Sequence, residues 1–408
     1  MVAIRSFRAL RAVSDTASRV ASPPYDVMNV DEARELARGE PLSFLRVSRA
    51  EIELPSETDP YADAVYVRAV KNFLEIRVSA PLVTEAEPSL YCYRLQTASH
   101  EQTGLTACYS LDEYDRGLIK RHEHTRVDKR ADRTRHLTEL GAQTGLVLLT
   151  YRATAEIDVL TGSVCAGIPL FDFKASDNVR HTVWRVPSPD VVPLVKAFEA
   201  VSALYVADGH HRMASASLAR DEFVRQGRPT VRVEADTVIA TAFPHNQVRI
   251  LPYNRVIQDL QGQSPQEFLD RLKAKLSLRP GQPMPARAGE VAMYLDGTWY
   301  NVRLTEGGHS VDRADSLDVA RLHRDILTPF LGIGDSRRDS RIDFVGGSLG
   351  AAALQERVDQ GEAAVAFSMF PVTVDDLMTI ADEGSIMPPK STWFEPKLRD
   401  GLLIHLVA

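Results

Sequence analysis

The chain has 408 residues, of which 44% are hydrophobic and 25% are charged, a composition typical of globular proteins. The net charge of −7 at pH 7 argues against a general nucleic-acid-binding protein, which would usually be basic. The three separated cysteines form no CxxC pair, and the chain lacks an apolar run of about 18 residues, so neither a zinc ribbon nor a membrane span is expected. We therefore expect a reduced, cytoplasmic protein that binds neither nucleic acid nor membrane.

Helical and strand patterns are interspersed along the chain, which predicts an α/β or α+β fold with mixed β-sheets and surrounding helices. Residues 31–38 predict a short helix that ends at Gly39. A longer amphipathic helix is predicted over residues 61–77. Its predicted inner face carries Val67, Val70, Phe73 and Leu74.

Strands are predicted next, with a hairpin over residues 89–115 and a buried strand over residues 145–151. Ser264, Pro265 and Glu267 have the spacing of a helix start with a capping box. The stretch 279–289 is dense in proline and glycine and is the best candidate for a domain boundary. The resulting prediction is an N-terminal and central domain, 1–278, and a C-terminal α/β region, 279–408.

The sequence ADGHHR lies where a β-rich run gives way to a predicted helix. Gly209 lets the backbone approach a ligand, and the helix start attracts anions. Arg212 can bind two phosphate oxygens, and His210 and His211 add donors. Asp208 can orient a histidine or bind a metal. The pattern predicts a phosphate-binding loop, and the alternative is a histidine-rich turn with a capping aspartate.

The sequence SPPYDVMN, residues 22–29, places Asp26 in a turn that two prolines stiffen. Asp26 is either a helix cap or a catalytic acid or base.

The segment 119–136 reverses the overall charge, since it holds seven basic side chains and three acids. The basic residues are Lys120, Arg121, Arg126, Lys129, Arg130, Arg133 and Arg135. This segment is either an anion-binding surface or a solvated helix face. Glu123 is a candidate general base, and Arg121 a candidate phosphate ligand. His122 and His124 would face one way on an extended chain, but no third metal ligand is evident, so we expect no metal site here.

The last segment of interest is MPPKSTWFEPK, residues 387–397. Lys390 on a proline-rigid turn suits a phosphate or a carboxylate, and the following aromatic side chains could stack on a base. Packing of a C-terminal segment is the alternative.

These motifs together resemble the domain-of-unknown-function 1015 family. The residues that carry the resemblance are SPPYDVM, RHEHT with DKRADR, ADGHHR, ILPYNRV and MPPKSTWFEPKL. The DGHHR loop alone also resembles, more distantly, the phosphate-binding loop of the ParB/sulfiredoxin-like superfamily, which includes free serine kinases. That second resemblance implies a nucleotide-binding core in the middle of the chain and a carboxylate base.

The leading hypothesis is a nucleotide-dependent phosphotransferase that acts on a small hydroxyl metabolite, serine or a relative, with ATP or ADP and Mg²⁺. Asp208, Gly209, His210, His211 and Arg212 would hold phosphates together with Arg121 and Lys390. Glu123 or Asp26 would accept the hydroxyl proton, and His210 would act beside them. The alternatives are a phosphatase of a phosphorylated amino acid, a nucleotide-binding regulatory protein without turnover, and a metal-dependent hydrolase that uses His122, His124 and His210.

Overall fold

The computed structural model of the chain describes residues 2–80, 82–227, 234–305 and 312–407. The chain folds as two compact units. The first contains residues up to 121, residues 125–248 and residues from 396 on, and the second contains residues 122–124 and 249–395. The predicted boundary between residues 278 and 279 falls inside a strand of the second unit. The proline-rich stretch 279–289, on which this predicted boundary was based, begins in this strand. It continues as a loop within the second unit.

The strands of the first unit come from three parts of the sequence. They are β1 (Ile4–Arg5), β2 (Leu10–Arg11), β3 (Val83–Thr84), β4 (Tyr91–Gln96), β5 (Glu101–Ser110), β6 (Ile119–Lys120), β7 (Ala142–Gln143), β8 (Val147–Tyr151), β9 (Phe171–Lys174), β10 (Arg180–Arg185), β11 (Leu204–Asp208), β12 (Thr237–Pro244) and β21 (His405–Leu406).

Nine of these strands form one mixed sheet in the order β6-β11-β8-β12-β5-β4-β10-β9, with β1 paired to β5. β6 and β11 are parallel, as are β8 and β12, and the other pairs are antiparallel. β4 and β5 form the predicted hairpin. The predicted mixed α/β class is confirmed.

The helices of the first unit pack around this sheet. They are α1 (Ser14–Val20), α2 (Val30–Leu36), α3 (Leu45–Ser48), α4 (Asp63–Ser79), α5 (Leu111–Asp115), α6 (Val127–Leu140), α7 (Ala155–Cys165), α8 (Ser188–Glu199) and α9 (His210–Arg225), with short 3₁₀ turns at Ala50–Glu53 and His245–Gln247. α6 packs against α9, where the Ser215 hydroxyl donates to the Arg130 carbonyl at 3.1 Å. The basic segment therefore lies beside the helix that follows the ADGHHR motif.

The predicted helix over residues 61–77 exists as α4, but its predicted inner face is wrong in part. Val67 and Leu74 are 69% and 55% exposed. The buried face instead contains Val65, Tyr66, Ala69, Phe73 and Ile76. The reason is that α4 packs against both α3 and α6. These two contacts determine which face of α4 is buried, and that face is not the one that carries the predicted row of apolar residues.

The second unit contains its own sheet and core. Its strands are β13 (Ile250–Leu251), β14 (Tyr253–Ile257), β15 (Leu278–Pro280), β16 (Glu290–Leu295), β17 (Thr298–Arg303), β18 (Ile342–Gly346), β19 (Val365–Ser368) and β20 (Trp393–Phe394). Six of them form a sheet in the order β15-β17-β16-β19-β14-β18, and β13 pairs with β20. Every pairing in this unit is antiparallel among the described residues.

The helices of the second unit are α10 (Pro265–Lys273), α11 (Asp318–Leu322), α12 (Thr328–Leu331), α13 (Gly350–Asp359) and α14 (Val374–Asp382), with a 3₁₀ turn at Gly347–Leu349. A π-helical turn, His323–Leu327, joins α11 to α12. The predicted capping box of α10 is confirmed, since Ser264 and Glu267 bond each other's backbone N–H groups. None of the described helices is long and apolar enough to cross a membrane.

Candidate functional site

The ADGHHR motif forms the junction between β11 and α9, as the sequence predicts. β11 ends at Asp208, Gly209 is the N-cap, and α9 begins at His210. Gly209 has a φ of 91°, in the left-handed region that favours glycine. A Cβ at this position would lie 3.2 Å from Nε of Arg212, so a larger residue would be strained and would crowd the guanidinium.

Asp208 is a fixed negative charge at this junction. A register shift between Val206 and Asp208 marks a β-bulge against β8, a feature that re-aims side chains. Asp208 Oδ1 accepts the Gly209 N–H at 2.9 Å, and Oδ2 accepts Nζ of Lys397 at 2.9 Å. Burial favours the neutral acid, but the charges of Lys397 and Arg212 outweigh it and hold the pKa of Asp208 well below its usual range. Asp208 is therefore ionised at neutral pH and holds the loop in place.

Arg212 is the central cation of the site. Its Nη1 donates to the Leu146 carbonyl at 2.5 Å and lies 3.8 Å from Oδ1 of Asp400. Burial disfavours the charged form of Arg212, but three carboxylates outweigh it and raise the guanidinium pKa. These carboxylates belong to Asp26, Asp400 and Asp208. Within the described residues, the buried Nε of Arg212 has no hydrogen-bond acceptor. Buried donors are rarely left unpaired in folded proteins, so this N–H is available to a ligand.

Asp400 is a buried carboxylate that the sequence patterns did not predict. Its backbone exchanges two hydrogen bonds with Ser22, at 3.2 and 2.9 Å, so the C-terminal segment lies beside the SPPYD motif. A Cβ on Gly145 would lie only 2.6 Å from its Oδ1, which has no hydrogen-bond donor in the described part of the chain. Burial raises the pKa of Asp400 to about 7, against the opposing charge of Arg212 and with a further contribution from Asp26. Both protonation states of Asp400 are therefore populated at neutral pH.

A second arginine, Arg133 of α6, is fixed by an acid and an aromatic ring. Its Nε donates to Asp132 at 2.8 Å, and its Nη1 donates to the Ser48 carbonyl at 3.2 Å. The Tyr66 hydroxyl donates to the other Asp132 oxygen at 2.8 Å. The guanidinium carbon lies 4.3 Å from the centre of the Tyr25 ring, which is a cation–π contact. Arg133 thus holds the tyrosine of the SPPYD motif in position.

Several of these groups line a pocket of the first unit that encloses about 480 Å³ of space, its open mouth included. The pocket residues that carry the argument are Tyr25, Arg133, His136, Gly145, Arg212 and Asp400. His136 Nε2 donates to the Val47 carbonyl at 2.9 Å. Burial, with the charge of Arg133, lowers the pKa of His136 to about 4, so its ring is neutral at neutral pH.

Other predicted site residues of the first unit surround this junction. Asp26 is exposed and interacts electrostatically with Arg212. His210 is buried at the start of α9. His211 Nε2 accepts the backbone N–H of Arg126 at 3.1 Å, which ties the motif to the basic segment. The structure therefore brings Asp26 and Arg212 together.

Three further site residues were predicted from the sequence. Arg121 is exposed after β6, and Glu123 and Lys390 belong to the second unit. Lys390 has a φ of 57°, and its Nζ lies 5.1 Å from the ring centre of Tyr253. A common pocket for the SPPYDV, RHEHT and DGHHR motifs stays a prediction.

Sequence reasoning did not assign four residues that complete the pocket and its loop, namely Asp400, Lys397, Arg133 and Gly145. Arg133 lies in the basic segment 119–136 and Lys397 in the proline-containing segment 387–397. The sequence pattern assigned neither residue a role of its own. Asp400 lies three positions after Lys397, in the sequence KLRDG. A single aspartate before a glycine reads as a turn, so only the fold identifies it as buried.

The family assignment rests on the sequence. A family model described as "Protein of unknown function (DUF1015)" matches residues 4–320. The chain belongs to this family. No curated protein matches the chain.

Solved structures similar to this DUF1015 protein include the following three. A conserved hypothetical protein from Pyrococcus furiosus is 16% identical, with 74% of this chain and 95% of that chain covered and a TM-score of 0.35. A free serine kinase in complex with AMP is 15% identical, with coverages of 76% and 95% and a TM-score of 0.35. SbnI with a C-terminal truncation, from Staphylococcus aureus, is 11% identical, with coverages of 74% and 87% and a TM-score of 0.40.

Proposed function

We propose that this DUF1015 protein is a nucleotide-dependent phosphotransferase that uses ATP or ADP, with Mg²⁺, to phosphorylate a hydroxyl group of a small cytoplasmic metabolite such as serine or a relative. The observation that carries the proposal is the state of Arg212. Its guanidinium is buried on the wall of a pocket, in the first turn of α9, and one of its N–H groups has no acceptor in the described part of the chain.

The phosphates would bind at the β11–Gly209–α9 junction. The amino-terminal end of a helix carries a partial positive charge, and the first turn of α9 contains no acidic residue. The ionised Asp208, which precedes the N-cap, is paired with Lys397. Gly209 has no side chain to block the approach of a phosphate, and Arg212 would add a charge-assisted hydrogen bond. In this proposal the nucleotide-binding core is of the ParB/sulfiredoxin-like type that the DGHHR loop resembles.

Asp400 would accept the proton of the acceptor hydroxyl. As the hydroxyl oxygen attacks the terminal phosphorus, the bond from phosphorus to the bridging oxygen of the nucleotide breaks. The hydroxyl proton passes to a carboxylate oxygen of Asp400. A pKa of about 7 suits this task, because a general base works best when its pKa lies near the working pH. Asp26 and Glu123, the bases that the sequence suggests, are the alternatives to Asp400.

In this proposal Asp26 would hold Mg²⁺. Asp26 is an exposed carboxylate next to Arg212, and Mg²⁺ prefers oxygen ligands of this kind. When bound, the ion would supply positive charge to the phosphate oxygens. The site needs such charge because the carboxylates around Arg212 would otherwise repel a polyphosphate.

The test is a titration of the full chain with ATP, ADP, CTP and GTP in the presence of Mg²⁺, followed by phosphorus NMR with serine and other hydroxy metabolites. A phosphorylated metabolite supports the phosphotransferase. Nucleotide binding without product would identify the regulatory alternative. Phosphate release from phosphoserine without any nucleotide would identify the phosphatase alternative.

Arg212→Ala should weaken ATP binding by about ten- to a hundredfold, because a charge-assisted hydrogen bond contributes about 1.5–3 kcal/mol. Arg225→Ala is the matched control, since Arg225 lies exposed in the last turn of the same helix. It should bind ATP like the wild-type protein. Equal ATP affinity in Arg212→Ala and the wild-type protein would exclude the phosphate role of the ADGHHR loop.

A further inference from the structure

Arg255 of the second unit is a buried cation without an acidic partner. It lies in the middle of β14, between β18 and β19, and is 2% exposed. Its Nη1 donates to the Tyr253 carbonyl, and its Nη2 donates to the Lys390 carbonyl at 2.9 Å. Within the described residues, no carboxylate lies within ion-pair distance of its guanidinium. Burying an unpaired charge is costly, which makes this arginine unusual for a purely structural residue.

Arg255 remains charged at neutral pH. Burial lowers its pKa to about 10, which is still well above the pH of the cell. Tyr253, the residue two positions before it, accepts a hydrogen bond from Arg255 through its backbone carbonyl. Among the described residues, the partners of this positive charge are two backbone carbonyls and the ring of Phe344, whose centre lies 5.6 Å from the guanidinium carbon.

Arg255 lines a pocket of the second unit that encloses about 630 Å³, its open mouth included. The walls near the arginine are apolar, and they come from Phe344 and from the two prolines of the MPPKST motif, Pro388 and Pro389. Such a combination of a flat apolar surface and one buried charge is typical of sites for small organic ligands. The ILPYNRV and MPPKST motifs, to which the proposed phosphoryl transfer gives no main role, meet at this pocket.

The lining of this pocket also contains polar side chains. His323, the first residue of the π-helical turn, donates from Nε2 to the Gly334 carbonyl at 3.0 Å, and its Nδ1 lies 3.2 Å from the Ser336 hydroxyl. Arg337 is paired with Asp335 at 3.1 Å, so its charge is balanced. Arg255 thus supplies the one unbalanced charge in the lining of the pocket among the described residues.

We propose that the pocket around Arg255 binds a small organic monoanion, a carboxylate attached to an aromatic or apolar body. The carboxylate would accept hydrogen bonds from the guanidinium, and the body would lie against Phe344 and the two prolines. A single unbalanced positive charge matches a carboxylate better than a phosphate dianion. None of the residues that line this pocket has a role in the proposed phosphoryl transfer.

The test is a fluorine NMR titration of the full chain with 4-fluorobenzoate. We expect saturable binding of 4-fluorobenzoate, weaker binding of 4-fluorophenyl phosphate, and no binding of 4-fluorobenzyl alcohol, which has the same body without the charge. Arg255→Met should weaken 4-fluorobenzoate binding at least about tenfold, the scale of a charge-assisted contact. The matched control is Arg338→Gln, because Arg338 is 89% exposed in its side chain and does not line the pocket. It should bind like the wild-type protein.

Arg255→Lys keeps the result interpretable if Arg255→Met does not fold, because lysine keeps the charge but cannot present two parallel N–H donors. It should fold, as thermal unfolding would verify, and should bind 4-fluorobenzoate more weakly than the wild-type protein. The proposal is overturned if the alcohol binds as tightly as the benzoate, if the benzoate does not bind, or if the folded Arg255 variants bind it unchanged. Tighter binding of the phosphate than of the benzoate would overturn the assignment to a carboxylate.

Discussion

The two units each bury an arginine beside a pocket, and the surroundings of the two side chains are opposite. Arg212 interacts with the carboxylates of Asp26, Asp208 and Asp400. Arg255 contacts two backbone carbonyls and an aromatic ring. The pKa of Arg212 is accordingly raised, whereas burial lowers that of Arg255.

This difference shows that the charges around a buried arginine determine which ligand it suits. In the first unit three carboxylates balance the charge of Arg212. An anionic ligand therefore gains little binding energy there unless a second cation accompanies it. That arrangement suits a nucleotide with Mg²⁺, and it leaves acids available for proton transfer. Among the described residues of the second unit no carboxylate balances Arg255, and this is why we propose a monoanion as its ligand. The predictions below change the acidic surroundings of Arg212 and so test this comparison.

The largest effect is expected from removing the charge of Asp400. Asp400→Asn should lower phosphoryl transfer by about a hundredfold or more, the scale of a general base, while ATP affinity changes little. Steady-state kinetics and a binding titration separate the two quantities. Asp26→Asn and Glu123→Gln serve as comparisons, since the sequence ranks neither acid. Full turnover in Asp400→Asn together with a large loss in one of the other two would assign the base to that residue instead.

A smaller effect is expected from moving Asp400 rather than neutralising it. In Gly145→Ala the new Cβ would meet Oδ1 of Asp400 at 2.6 Å, so the carboxylate must shift. Overpacking of this kind typically destabilises a protein by about 1–3 kcal/mol, which chemical denaturation can measure. Gly162→Ala is the control, because Gly162 lies exposed in α7 with no atom within 4 Å of its added Cβ. If both variants are equally stable, Asp400 is not held against Gly145.

The smallest effect concerns the pH dependence of stability. The pKa of Asp400 is about 7 in the folded chain and has its ordinary, lower value in the unfolded chain. At a pH between these two pKa values, the folded chain therefore binds more protons than the unfolded chain. Stability contributed by this group is therefore present at low pH and is lost as the pH rises towards 7. Asp400→Asn should have a higher melting temperature than the wild-type protein at pH 8, and the difference should shrink at pH 5. An unchanged difference between the two pH values would show that Asp400 ionises normally.

Much of the fold could be predicted from local sequence. The switch from strand to helix at Gly209 and the capping box at Ser264 depend on neighbouring residues only, and both are confirmed. The inner face of α4 could not be predicted, because it depends on two helices that pack against it from other parts of the chain. Val67, which the sequence predicted on the inner face, is exposed, and its neighbour Tyr66 is buried.

The candidate site was predictable where its residues are adjacent in sequence. Asp208, Gly209 and Arg212 form one motif, whose residue types already indicate an anion. Asp400 reaches Arg212 only because residues 400 and 22 pair their backbones, a long-range contact without a local signal. The position of Asp400 in the site and its close approach to Gly145 are therefore properties of the tertiary structure.

The return of residues 396–407 to the first unit has a consequence for the order in which the protein is built. This segment supplies Lys397, Asp400 and β21, which pairs with β7. In the sequence it follows the whole of the second unit. A ribosome therefore releases every residue of the second unit before the segment that completes the first pocket. Until then, a nascent chain carries the ADGHHR loop with no lysine on Asp208 and no Asp400 near Arg212, so the site is assembled only when synthesis has passed residue 400.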